Sequence, residues 1–171
     1  VSGEVILNKL YKETQLEVSF GIINLCIVDG APKILSLKEL IKYYLDFQMD
    51  VVRRRTIFLK AKDEARINIL NALLTVSDNV NEVTEMAKSS KSTDDFKEKL
   101  MVRYSFNEEQ AKAVVGMTLG RLTGLENEKI NDEKSQLLKN VKGYNYILED
   151  ESHVCDLVIS ELQAIKNKFN D

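Results

Sequence analysis

The chain has 171 residues, 30% of them charged, a single proline (Pro32) and no tryptophan, which is the composition of a helical protein with long solvated faces. A net charge of -3 excludes a global basic field for nucleic acid, so any DNA contact must be local. Two distant cysteines, Cys26 and Cys155, and one histidine, His153, give no zinc spacing, almost exclude imidazole chemistry and suit a reducing cytoplasm; no apolar run is long enough for a membrane-spanning helix, and with no basic-then-apolar opening a signal peptide is not expected.

The chain starts at Val1 without a methionine, so a segment of a longer protein is expected. Val5, Ile6, Leu10 and Tyr11 fall near one helical face and predict a short helix over Val5 to Glu13. From Glu17 the pattern turns β-prone through Val18, Phe20, Ile22, Ile23, Leu25, Ile27 and Val28. Asp29-Gly30-Ala31-Pro32 is turn chemistry before a second run, Lys33 to Leu35. The expectation is a β-hairpin, and a lone hairpin needs a body to pack on.

Ser36 and Glu39 form a capping box, with Leu35 and Leu40 at the staple positions. Neither glycine nor proline occurs from there to Ser77, which predicts a helical rod of about 60 Å. A return tract is expected from the seam Ile130, Lys134, Leu137, Val141, Tyr144, Leu148, Glu151, Cys155, Val158, Leu162, Ile165 and Phe169, a heptad pattern in which only Lys134 and Glu151 are charged. Between the tracts lie a short helix on Val80, Val83, Met86 and Ala87 and a second one capped by Ser92 with Asp95. A third is predicted over Asn107 to Glu126, capped by Asn107 and Gln110 with Phe106 and Ala111 as the staple. The predicted fold is mainly α: a long antiparallel two-helix coiled-coil arm carrying a small three-helix globular tip, with a short helix and β-hairpin at the root. The tip is too small to bury a comfortable core, so association should supply the rest.

Several positions invite a chemical reading. Arg53, Arg54 and Arg55 could touch a phosphate backbone, against the plainer alternative of a solvated face with i,i+4 partners such as Asp50 with Arg54 and Lys60 with Glu64. Arg103 beside Tyr104 resembles a phosphodiester-attacking pair, but no acidic metal cluster lies nearby and packing is the expectation. Glu149, Asp150 and Glu151 point in different directions on a helix and cannot converge on one ion. Gly116, Gly120 and Gly124 recur every four residues, which would allow close approach of another backbone or would fray the helix.

TQLEVSFGIINLCIVDGAPKILSLKELI, VVRRRTIFLKAKDEARINILNAL, DNVNEV, SSKSTDDF and EEQAKAVVGMTLGRLTGLENEKI together resemble the A subunit of bacterial type IIA topoisomerases, of DNA gyrase or topoisomerase IV, along essentially the whole chain. The resemblance implies that residues 1–35 end a tower domain, 36–77 are the ascending coiled-coil helix, 78–125 the exit-gate tip and 126–171 the returning helix. It implies a cytoplasmic parent enzyme, a homodimer through the tip, a holoenzyme with two B subunits, and DNA as substrate, with no membrane. ATP and magnesium belong to the B subunit, and the catalytic tyrosine to a winged-helix domain upstream. Hence no catalytic, cofactor or metal residue is expected here. The gate contact is expected at Val115, Gly116, Met117, Leu119, Gly120 and Leu122, where Gly116-Met117-Thr118-Leu119-Gly120-Arg121-Leu122 replaces the family's usual Asp before Met and its Arg-Leu-Gln-Arg-Leu. A non-enzymatic coiled-coil dimerisation scaffold is the alternative, and the hairpin tells against it, since such a scaffold needs no orphan β element.

Overall fold

The structure is a computed structural model that describes residues 2–117 and 124–169. It divides into two compact units, residues 1–47 and 48–171, with the boundary inside one long helix. Its order is α1 (Gly3–Glu13), β1 (Asn24–Val28), β2 (Ala31–Leu35), α2 (Leu37–Asp78), α3 (Val80–Ser89), α4 (Thr93–Tyr104), α5 (Glu108–Val115), α6 (Gly124–Glu149) and α7 (Glu151–Phe169).

In the first unit β1 and β2 pair antiparallel, with Val28 opposite Ala31 and Asn24 opposite Leu35. The turn is two residues, Asp29 (φ 53°) and Gly30 (φ 78°). Both sit in the left-handed region, which a two-residue hairpin turn of the mirror-image type demands and which Asp-Gly supplies. Pro32 therefore lies within β2, opposite Ile27. That position is next to the hydrogen-bonded pair that closes the turn, so its missing N–H costs no ladder bond.

The β-prone run is longer than the strand it forms. Pairing residues 18–23 would require β2 to continue past Leu35, but there the chain turns into α2. Ser36 N–H donates to Glu39 Oε2 at 2.9 Å while Glu39 N–H reaches Ser36 Oγ at 3.4 Å, the reciprocal cap read from the sequence. Phe20 (88% exposed) and Ile22 (79%) are accordingly unpaired and solvent-facing.

The second unit is built on antiparallel pairing of α2 with α6. Ser77 bonds Asn127, Arg66 bonds Glu133, and Asn140 bonds Asp63, so falling numbers on α2 meet rising numbers on α6. At one end Leu70, Leu73 and Val76 of α2 join Val83, Leu100, Phe106 and Val114 in a buried cluster, on which Ile130 and Leu137 of α6 also pack. The three short helices α3–α5 thus share one core with the helices that flank them. A second cluster, Val52 with Val154 and Val158, fixes α7 against α2. The buried Thr56 hydroxyl beside it is satisfied by the Val52 carbonyl at 2.8 Å.

Besides the hairpin, two helical tracts have other bounds than those expected from the sequence. The helix expected over Asn107 to Glu126 ends as α5 at Val115. Gly116 N–H still bonds Lys112 O, but Met117 N–H bonds Val114 O, a tightening that closes the last turn, and the next helix starts at Gly124. The return tract is two helices, broken at Asp150, whose carboxylate accepts Ser152 N–H at 2.8 Å and so caps α7. The seam slips at that break. Leu137, Val141, Tyr144 and Leu148 are half-buried in line with the heptad; beyond it Val158 is buried and Leu162 half-buried as expected, but Val154 is buried in place of Cys155, and Cys155, Ile165 and Phe169 are exposed.

Candidate functional site

The tip carries most of the candidate residues. Asn107 caps α5 as the sequence predicts: Gln110 N–H donates to Asn107 Oδ1 at 2.8 Å, and Asn107 N–H to Gln110 Oε1 at 2.9 Å. The same Gln110 donates its Nε2 to the Asn68 carbonyl at 2.9 Å, which ties the start of α5 to α2. Phe106 and Ala111, the staple pair, are both buried. With its start held this way, α5 directs Val114 into the core and leaves Val115 half-buried at the edge.

Val115 and Met117 pack partly on that core and line a groove of about 450 Å³ with Val76, Val83, Phe96 and Val114. Gly116 lies between them. A Cβ there would meet only Lys112 O at 3.5 Å and Ala113 O at 3.7 Å, so no other described element approaches it closely. Leu119, Gly120 and Leu122 lie outside the described residues.

Arg103 and Tyr104 are both engaged by one carboxylate. Glu82 of α3 accepts Arg103 Nε–H at 2.6 Å on one carboxylate oxygen and the Tyr104 hydroxyl at 3.0 Å on the other, while the Tyr104 ring stacks on Phe106 at 5.3 Å. Partial burial, then the bond to Glu82, pushes the Tyr104 phenol above its ordinary value, which disfavours the phenolate a nucleophile needs. The trio clamps α3 to α4. Its signal in the sequence is weak, because Glu82 and Arg103 are 21 positions apart and only the tertiary fold joins them.

Arg53, Arg54 and Arg55 all stand beside acids. Arg53 pairs with Glu151 at 3.2 Å, Arg54 with Asp50 at 2.7 Å, and Arg55 with Glu161. The Asp50–Arg54 pair and the Lys60–Glu64 pair at 3.9 Å are the i,i+4 partners expected of a solvated helix face. Glu149, Asp150 and Glu151 do not converge, Glu151 being drawn to Arg53 and Asp150 to Ser152. Among the described residues no three His, Cys, Asp or Glu side chains form a metal-binding group, and no helix is long and apolar enough to cross a membrane.

Residues 1–163 match the family of DNA gyrase and topoisomerase IV A subunits. Over 170 residues the chain is 43% identical to the DNA gyrase A subunit of Halalkalibacterium halodurans, covering 99% of this chain and 20% of that protein. It is 45% identical over 168 residues to the DNA gyrase A subunit of Metamycoplasma arthritidis, covering 98% and 19%, and 40% identical over 168 residues to that of Campylobacter jejuni, covering 98% and 20%. The chain therefore spans about a fifth of the length of the curated relatives it matches.

Proposed function

The chain belongs to the family of DNA gyrase and topoisomerase IV A subunits, and we propose that it is the arm and exit gate of the gyrase member. In this reading residues 1–35 end the tower, 36–77 and 126–171 are the two strands of the arm, and 78–125 are the gate. The observation that carries it is the placement of α3–α5: a three-helix body inserted between two long antiparallel helices, in a chain of this family. Such a body at the junction of two long helices can meet its copy across a two-fold axis and part from it again.

The parent enzyme would pass one DNA duplex through a double-strand break in another, driven by ATP on a B subunit that also supplies the magnesium site. Its tyrosine nucleophile would lie in a part of the protein other than these residues. The active assembly would hold two A and two B subunits in the bacterial cytoplasm. Gyrase is preferred to topoisomerase IV because the relatives named above are gyrase subunits. Contact of Arg53, Arg54 and Arg55 with the DNA backbone would require phosphate to replace Glu151, Asp50 and Glu161. Of the three, Arg54 is the most accessible, its side chain 64% exposed.

The gate contact would involve Val115, Gly116, Met117, Leu119, Gly120 and Leu122. Sedimentation analysis tests it. Leu119→Asp places a charge in the proposed contact and is expected to convert a dimer into a monomer with an unchanged helical spectrum. An unchanged dimer removes this contact from the proposal. A DNA relaxation assay on this chain by itself is expected to show no strand cleavage, and cleavage would overturn the non-catalytic assignment.

A further inference from the structure

We propose that the junction of α6 and α7 is a hinge in the return helix, latched by the His153 ring. Helical pairing between the two stops at Asp150. At the break itself the backbone is closed by two short-range bonds: Ser152 N–H to Asp150 Oδ1 at 2.8 Å and His153 N–H to Asp150 O at 3.2 Å. Across it the His153 side chain folds back onto α6. Its Nδ1 lies 2.7 Å from the Tyr146 carbonyl oxygen, and its ring stacks on the Tyr146 ring at 3.8 Å with the planes 20° apart. A carbonyl only accepts, so Nδ1 carries the proton in this contact. The bond meets an acceptor in the last turn of α6, where carbonyls lose their helical partners.

The packing beyond the latch is that of a pivot. Val52 of α2 is buried against Val154 and Val158, one turn apart on α7. Arg53 pairs with Glu151 and Arg55 with Glu161, so two positions on α2 answer ten on α7. The ion pairs do not keep the step by which α2 and α6 run, and the buried contact of α7 with α2 is centred on Val52. Gly143, the residue with the weakest helix propensity in the tract, lies inside uninterrupted α6. The give in this segment therefore sits at a capped break spanned by the two Asp150 bonds, by the His153–Tyr146 bond and stack, and by Ile147 of α6 packing on the cluster that Val154 and Val158 form with Val52, an arrangement that can open without breaking either helix.

The hinge stands on these contacts alone; its use in separating gate tips rests on the function proposed above. Hydrogen exchange in the full-length protein tests the hinge separately from the gate. His153→Ala removes bond and stack, and the backbone amides of residues 147–153 are expected to exchange about tenfold faster, while α3 and α4 keep their protection. His153→Asn retains a donor near the Nδ1 position, and Tyr146→Leu retains the carbonyl but not the ring; each is expected to recover part of the protection. Unchanged exchange in all three variants overturns the proposal. So does an increase spread evenly over α2, α6 and α7, which would mark His153 as a general packing residue.

Discussion

Arg66 and Glu133 face each other across the α2–α6 pair as a bidentate ion pair, with Nε to Oε1 at 2.7 Å and Nη2 to Oε2 at 3.0 Å. The planar fork fixes direction as well as distance, so the pair helps set the register of the two helices. Both side chains are nearly half exposed, at 47% and 42%, and solvent screens the attraction. Arg66→Ala should therefore cost only about 0.5–1 kcal/mol in urea unfolding, and less at high salt. A loss that salt leaves untouched would mean that the aliphatic stem of Arg66, not its charge, supports the interface.

Tyr104 yields a spectroscopic prediction. Its phenol is held above the ordinary value by partial burial and by Glu82. An alkaline ultraviolet titration should contain a late-ionising tyrosine component, and Tyr104→Phe should remove it. Glu82→Gln should bring it only part of the way back, because burial, the larger cause, remains. A late component that survives Tyr104→Phe would place the perturbed phenol elsewhere.

Acid sensitivity follows from the caps and clamps. Glu39 is lowered first by the Ser36 backbone bond, Asp95 by Lys91 N–H, Asp150 by Ser152 N–H, Glu82 by Arg103 and Glu133 by Arg66. Each carboxyl binds its proton less readily folded than unfolded, where the values are 4.5 for Glu and 3.8 for Asp. The stabilisation is thus complete above those values and is lost as pH falls through the lower folded ones. Thermal midpoints should be flat from about pH 7 to about pH 5 and decline at more acid pH, with Glu39→Gln and Glu82→Gln each making the decline shallower. An undiminished decline in both variants would assign the acid response to other groups.

The long antiparallel helix pair with three short helices between its members was legible in the sequence and is present; at the level of single side chains, what could be read was local. The caps at Ser36, Ser92 and Asn107 and the pairs Asp50–Arg54 and Lys60–Glu64 each depend on residues three or four apart, and all five form as expected. The Glu82 clamp and the Arg66–Glu133 pair join positions 21 and 67 apart, so they depend on the packing and register of the helices, which the periodicity of one sequence does not fix even where it indicates that two helices pair. The interruption at Asp150 does leave a trace, an N-cap residue type directly before an acidic first turn, but the continuous heptad over it masks that signal. At Gly116 the apolar run continues into Met117 while the helix does not, because glycine adds nothing to the turn that Met117 N–H closes.

The slip of the seam at Asp150 separates the heptad reading from the structure at two adjacent residues. A strict heptad places Cys155 inside and Val154 outside; the structure has Val154 1% exposed and Cys155 in solvent. Val154 meets Val52 and leaves a void if shortened, so Val154→Ala should destabilise the protein by about 1–3 kcal/mol in urea or thermal unfolding. Cys155→Ala removes a solvent-facing thiol and should shift stability by no more than about 0.5 kcal/mol. The native Cys155 thiol should also react with a disulfide reagent at the rate of an exposed cysteine, without prior unfolding. The opposite pattern, a costly Cys155→Ala with a protected thiol and a neutral Val154→Ala, would restore the unbroken heptad and remove the pivot at Val52.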